Sequence, residues 1–216
     1  MIMFVHRLNL AWLVKRTELI SAILLSIATV GTAWCSYQSA VWGGIQAFKL
    51  SDANRLSRES IMQRLEANQE ALLEAGHLAE FIDARVRGDD ALAQFYYHRF
   101  RPAMREAVDA WLATDPFEDA AAPTTPFEMP QYDSDFVHRA DALESESARV
   151  HDAAAEANHR SDMYLLATVM LASVLFFAGI APKFSHLDIR FFLLGMGSAM
   201  LTGAAVLLIR LPAMIT

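Results

Sequence analysis

The chain has little of what holds small disulfide-rich or metal-centred domains together. It has one cysteine, Cys35, in 216 residues, so it can form no intrachain disulfide and no cysteine-built metal site. Cys35 is expected simply to pack. Nine glycines and seven prolines are too few for a collagen-like or low-complexity chain. No glycine-rich phosphate loop, nucleophile elbow, His-Glu-x-x-His or Cys-x-x-Cys occurs, which leaves enzymatic readings without a motif. The most consequential shortage is of charge. Residues 17–44, 163–181 and 191–209 carry a single charged side chain, Glu18. Windows this long and this free of charge exclude a wholly soluble domain and read as membrane spans.

What the chain does contain is therefore divided. It is 54% apolar, yet 20% charged with a net charge of −7, and almost all of the charge lies outside those three windows. The expected fold class is an all-α membrane protein, with three transmembrane helices and a long helical stalk or hairpin domain inserted between the first and second. The expected segments are an N-terminal tail over 1–16, spans over 17–44, 163–181 and 191–209, and an acidic helical extramembrane domain over 45–162. A short loop over 182–190 makes the last two spans an antiparallel hairpin, and 210–216 is a C-terminal tail. Apolar and aromatic residues continue through Trp34, Tyr37, Val41, Trp42 and Ile45, so the first window reads as a complete span, not a cleaved signal peptide. Residues 2–14, with Ile2, Val5, Trp12 and Leu13 apolar, carry a weak signal for an interfacial helix. The positive-inside bias is counted over short segments. Arg7, Lys15, Arg16, Lys183 and Arg190 then favour a cytoplasmic N-terminus, with the large domain on the opposite side.

The extramembrane segment, from Gln46 to Arg160, has 12 basic and 22 acidic residues. An acidic surface is a poor match for phosphates, so nucleic acid is not an expected partner. Residues 51–86 are rich in Ala, Leu, Glu, Arg and Gln, with apolar residues at three- and four-residue steps. The first span is expected to continue through them as one helix of about 65 residues, with Gly43-Gly44 as the one place to bend. Gly88-Asp89-Asp90 marks its stop. A second helix is expected over 91–113, kinked or interrupted by Pro102. A Pro-rich strap over 115–131 follows, in which Pro116, Pro123, Pro126 and Pro130 are interleaved with Phe117, Phe127 and Met129 and lead into Tyr132. A third helix, from Ser134 to Arg160, runs into the second span and is expected to pack on the first as a coiled-coil-like stalk.

Glu74/His77 and Glu156/His159 have the Glu-x-x-His spacing used by di-iron bundles. They fall too far apart along the chain to share one centre, and His77 with His98 reads as two solvated histidines, so no metal or cofactor is expected. The more informative pattern lies in the first span. Thr29, Thr32, Ser36, Ser39 and Gly43 recur at steps of 3, 4, 3 and 4 along one helix face. Such a face serves helix–helix packing or, in a ring of subunits, the lining of a water-filled pore with Glu18 at its mouth. In the third span Gly195, Ala199 and Gly203 form a small-x-x-x-small packing ladder. Three spans bury little by themselves, so contacts between copies are expected too.

The runs TAWCSYQSAVWGG, RFRPAMREAVDAWLATDPF with its later PFEMPQY, and SDMYLLATVMLASVLFFAGI together resemble an uncharacterised family of bacterial three-span membrane proteins, over residues 28–182. The resemblance implies architecture and a bacterial envelope location and transfers no catalytic or binding residue. The expectation is a non-enzymatic, homo-oligomeric protein of the bacterial inner membrane. Its extramembrane domain would serve assembly, sensing or partner binding, with the lipid bilayer and an envelope protein as partners. The alternative is a small oligomeric channel or transport component lined by the first span.

Overall fold

The computed structural model describes the backbone of residues 2–214 and the side chains of residues 14–214. Those residues form five α-helices: α1 (Ile2–Arg87), α2 (Asp90–Tyr97), α3 (Pro102–Leu112), α4 (Asp135–Ile180) and α5 (Leu187–Arg210). No strand occurs among the described residues. Three of the helices, α1, α4 and α5, contain stretches long and apolar enough to cross a membrane. The protein is all-helical and reads as membrane-embedded. Side chains up to residue 13, on which the interfacial-helix expectation rests, lie outside the described residues; α1 is unbroken through Gly43-Gly44.

The chain folds as two compact units, Met1–Ser51 with Val150–Thr216, and Asp52–Arg149. In the first, α1 contributes Leu24, Ala28, Cys35 and Trp42 to a core completed by Ala157, Tyr164, Ala167, Leu171, Val174 and Ala178 of α4 and by Leu194 and Ala204 of α5. Small residues set how closely the helices approach. A Cβ on Gly31 would stand 3.0 Å from a Leu171 methyl, and one on Gly197 would touch Phe177, Leu24 and the Val174 carbonyl. The opposite faces, with Ile23, Ile27, Val30, Leu165, Val169, Phe176 and Phe192 outermost, suit lipid. Pro182 ends α4 in a short 3-10 turn, Ala181–Lys183. There the Arg190 guanidinium donates to the Phe184 carbonyl at 2.7 Å and the Pro182 carbonyl at 3.1 Å. A cation is well placed at carbonyls that a helix end leaves unpaired.

The second unit is polar. α1 stops where Gly88 takes a left-handed φ of 75°, with Asp89 N–H bonding the Ala84 carbonyl and Gly88 N–H that of Arg85; this paired closure favours glycine. Asp89 at once caps α2 through Leu92 N–H. The helix expected over 91–113 is two helices. Pro102 can begin a helix, but the ring forbids the residue before it an α conformation. Arg101 is accordingly extended, with ψ 160°, and α3 starts at Pro102. The strap is held at three places. The Trp111 indole donates to the Pro123 carbonyl at 2.7 Å, Pro126 is buried in a 3-10 turn, and Phe127 meets Tyr132 edge-on at 4.9 Å. Within this unit α1 and α4 run antiparallel. Ser147 donates to the Ala53 carbonyl and Ser60 to that of Ala140, both at 2.9 Å, and Arg64 pairs with Asp141 at 2.9 Å and with Glu144.

Candidate functional site

Two clusters of buried polar side chains stand out, one in each unit. In the polar unit, Glu74 shares the face of α1 that carries Leu78 and Phe81, and is only 5% exposed. A carboxylate in that position needs a partner. Arg101 supplies it from the break before Pro102. Its Nε lies 3.0 Å from Glu74 Oε1 and its Nη2 3.2 Å from Oε2, a two-pronged geometry stronger than a single contact. The same Nε lies 3.0 Å from Glu70. Tyr132 donates to Glu74 Oε2 at 3.2 Å, and the Arg101 guanidinium stands 5.9 Å from the Tyr132 ring. Burial, then the charge of Glu74, pushes the Tyr132 phenol up to about 12 against the pull of Arg101. Burial alone lowers the Arg101 guanidinium, but Glu74 and Glu70 outweigh it and hold the group above its usual range. The cluster joins α1, the α2–α3 break and the strap through one carboxylate.

In the membrane unit the corresponding residue is Gln38, fully buried on the face of α1 that carries Ala28, Cys35 and Trp42. Its amide is used at both ends. Nε2 donates to the Met214 carbonyl at 2.6 Å, and Met214 N–H donates to Oε1 at 3.0 Å. Tyr164 of α4 adds a bond from its hydroxyl to the Pro212 carbonyl at 3.2 Å. The segment after α5 is therefore fastened by its backbone to two other helices. Ser21 donates to the Ala178 carbonyl, and the Arg160 guanidinium lies 4.6 Å over the Trp42 ring, a cation–π contact.

The expected small and polar stripe of the first span is divided. Ser39 and Gly43 meet α4, with the Ser39 and Ser161 hydroxyls 3.1 Å apart and Ser161 also donating to the Ser39 carbonyl at 2.9 Å. Thr29 and Ser36 face outward, and Thr32 is half-buried with its hydroxyl oxygen unpartnered among the described residues. The Thr29 hydroxyl bonds back to the Leu25 carbonyl at 2.7 Å. The face that packs is Ser21, Leu24, Ala28, Gly31, Cys35, Gln38 and Trp42, roughly a quarter turn away at about 100° per residue. A hydroxyl such as that of Thr29 can be satisfied on its own helix, whereas Leu24 and Trp42 are buried against the other helices of the unit. Glu18 is exposed.

The ladder of the third span is divided as well. Gly195 and Ala199 are exposed, and a Cβ on Gly195 would meet nothing within 4 Å. Only Gly203 packs inward, against Met170. Gly197, which the ladder does not include, is buried against Phe177 and Leu24.

Of the Glu-x-x-His pairs, Glu74 is bound to Arg101 and Tyr132, His77 lies 6.2 Å from the Tyr96 ring, and Glu156 pairs with Arg160 at 2.9 Å. Among the described residues no cluster of three or more His, Cys, Asp or Glu side chains is placed to hold a metal ion. The Glu70–Glu74–Arg101–Tyr132 cluster and the Gln38 clamp were missed by sequence reasoning, although each carries a signal. A polar residue stands on an apolar face, at 74, 78, 81 and at 28, 35, 38, 42. No protein-family model, curated protein or solved structure matches the chain.

Proposed function

We propose that the protein is a non-enzymatic, homo-oligomeric component of a bacterial inner membrane, anchored by three spans, whose acidic helical unit outside the bilayer serves assembly, sensing or partner binding. In this reading it shares the architecture of the bacterial three-span family it resembles, with its N-terminus cytoplasmic and the polar unit on the other side. One observation supports an anchor over a conduit. Three polar side chains of the first span are used inside the protomer, Ser21 on Ala178, Gln38 on Met214 and Ser39 on Ser161. A pore lining keeps such groups free to meet water.

Thr29 and Ser36 are the residues that favour the second reading, a small channel, since both face away from the bundle. The Thr29 hydroxyl nevertheless donates to the Leu25 carbonyl of its own helix, as suits a lipid-facing helix.

The mass of the purified protein in lipid nanodiscs tests the assembly. More than one copy per disc is expected, and Gly195→Leu with Ala199→Leu is expected to lower the number, because both sites face outward without an intraprotomer neighbour to clash. A single copy for the native sequence contradicts the reading.

A further inference from the structure

α1 is apolar on two faces in the polar unit, and only one of them is covered. Ala53, Leu56, Ala67, Leu78, Phe81 and Ala84 are buried within the unit. Opposite them Ile61, Leu65, Leu72 and Val86 are 61%, 48%, 73% and 72% exposed. Together with Asn68, Ala75 and Ala79, also exposed, and with Ile82, which packs partly on the unit's own core, they recur at alternating steps of four and three residues, from 61 to 86. That is the heptad seam of a helix built to pair with another helix. We propose that this seam is the contact between two copies of the chain, running parallel and in register at Asn68.

The occupant follows from charge, geometry and area. The segment from Gln46 to Arg160 has 22 acids against 12 basic residues, so two copies repel each other over most of their surface. The acids of this stretch, Glu59, Glu66, Glu70, Glu74, Glu80 and Asp83, all lie off the seam positions, which carry no charge from Ile61 to Val86. A second copy meets no like charge there. Copies inserted the same way in one bilayer present α1 in the same direction, which sets Asn68 opposite Asn68. Two facing amides satisfy each other, and a single polar residue in an apolar seam fixes register. A groove of about 460 Å³ borders the seam, lined by Asn68, Ala71, Leu72, Ala75 and Phe127. The alanines leave room for the leucine of a second copy. A strip about 38 Å long and about 10 Å wide gives a footprint of about 400 Å² per copy, roughly half of what a freely diffusing stable dimer buries. Confinement to one membrane raises the effective concentration and offsets the difference.

The inference rests on the homo-oligomeric reading above, and its test separates the two. Cys35→Ala leaves a background without cysteine. Leu65→Cys, Leu72→Cys, and the off-seam controls Glu59→Cys and Glu66→Cys, are then oxidised in the full chain in membranes, with helix content checked for each. The seam cysteines are expected to form disulfide-linked dimers about tenfold faster than the controls. Seam cysteines no faster than controls, with more than one copy per nanodisc, overturn the seam and leave the oligomer standing. The same result with one copy per nanodisc overturns both. Linkage of seam cysteines to a different protein, and not to each other, overturns the choice of a second copy as occupant.

Discussion

Gln38→Leu is expected to release the end of the chain from the membrane bundle. The native amide accepts from Met214 N–H and donates to its carbonyl, at 3.0 and 2.6 Å. Leucine fills a similar volume and offers neither. The remaining tie, from Tyr164 to the Pro212 carbonyl, does not reach Met214. Intramembrane hydrogen bonds are individually modest, so loss of the pair should cost about 1–2 kcal/mol. A cost near 1.4 kcal/mol corresponds to about tenfold faster amide exchange at Met214. Hydrogen exchange followed by mass spectrometry reads that segment directly. The helices themselves should be unaffected, because the apolar contacts of Ala28, Cys35 and Trp42 are untouched. Unchanged exchange at Met214 would show that the clamp holds nothing.

Arg101→Met should have a larger effect, confined to the polar unit. The substitution keeps the apolar stem and deletes the charge, leaving Glu74 buried beside Glu70 with only the Tyr132 hydroxyl for company. Removing one partner of a buried pair costs about 3–5 kcal/mol. Arg101 itself is 30% exposed, and the water this admits reduces the expected loss to about 2–3 kcal/mol. In thermal melting that is a drop of roughly 5–10 °C. Adding Glu74→Gln should recover part of it, since the stranded charge is then gone; a double substitution no better than the single one would contradict the pairing.

The same cluster predicts an alkaline limb. The folded state holds the Tyr132 phenol up to about 12, above the value of about 10 for a free tyrosine. The fold therefore prefers the neutral phenol. Its contribution is complete below about pH 10 and is lost as pH rises from there towards 12. Tyr132→Phe should flatten that part of the stability profile. Tyr97, raised by its hydrogen bond to Asp109 and then by burial, leaves a limb of the same sign in both proteins, and the difference between them isolates Tyr132.

How much of this was legible beforehand depended on which force fixed each element. Windows with almost no charge revealed three stretches long and apolar enough to cross a membrane, because hydrocarbon tolerates little else. Gly88 and Pro102 marked breaks because one supplies a left-handed φ and the other prevents an α conformation in its predecessor. The faces were harder to read. Thr29, Thr32, Ser36, Ser39 and Gly43 are a real periodic set, but the Thr29 hydroxyl, bonded to the Leu25 carbonyl one turn back, needs no neighbour. The helix is instead oriented by where Leu24, Ala28, Cys35 and Trp42 fit. Gly195 and Gly197 make the same point two residues apart: one faces outward and the other lies against Phe177. The two polar clusters depended on pairings across long sequence separations, Glu74 with Arg101 and Gln38 with Met214. Spacing within one helix does not report those, whereas a lone carboxylate or amide on an apolar face does announce that a partner exists.

In the proposed function the first span anchors the protein and conducts nothing. Ion flux through liposomes containing the pure protein tests it most directly. Flux equal to that of protein-free liposomes, for the native chain and for Thr32→Leu and Ser36→Leu alike, is the predicted result. Reproducible currents in the native protein that either substitution abolishes would contradict it, and would place the substituted residue, Thr32 or Ser36, along a water path.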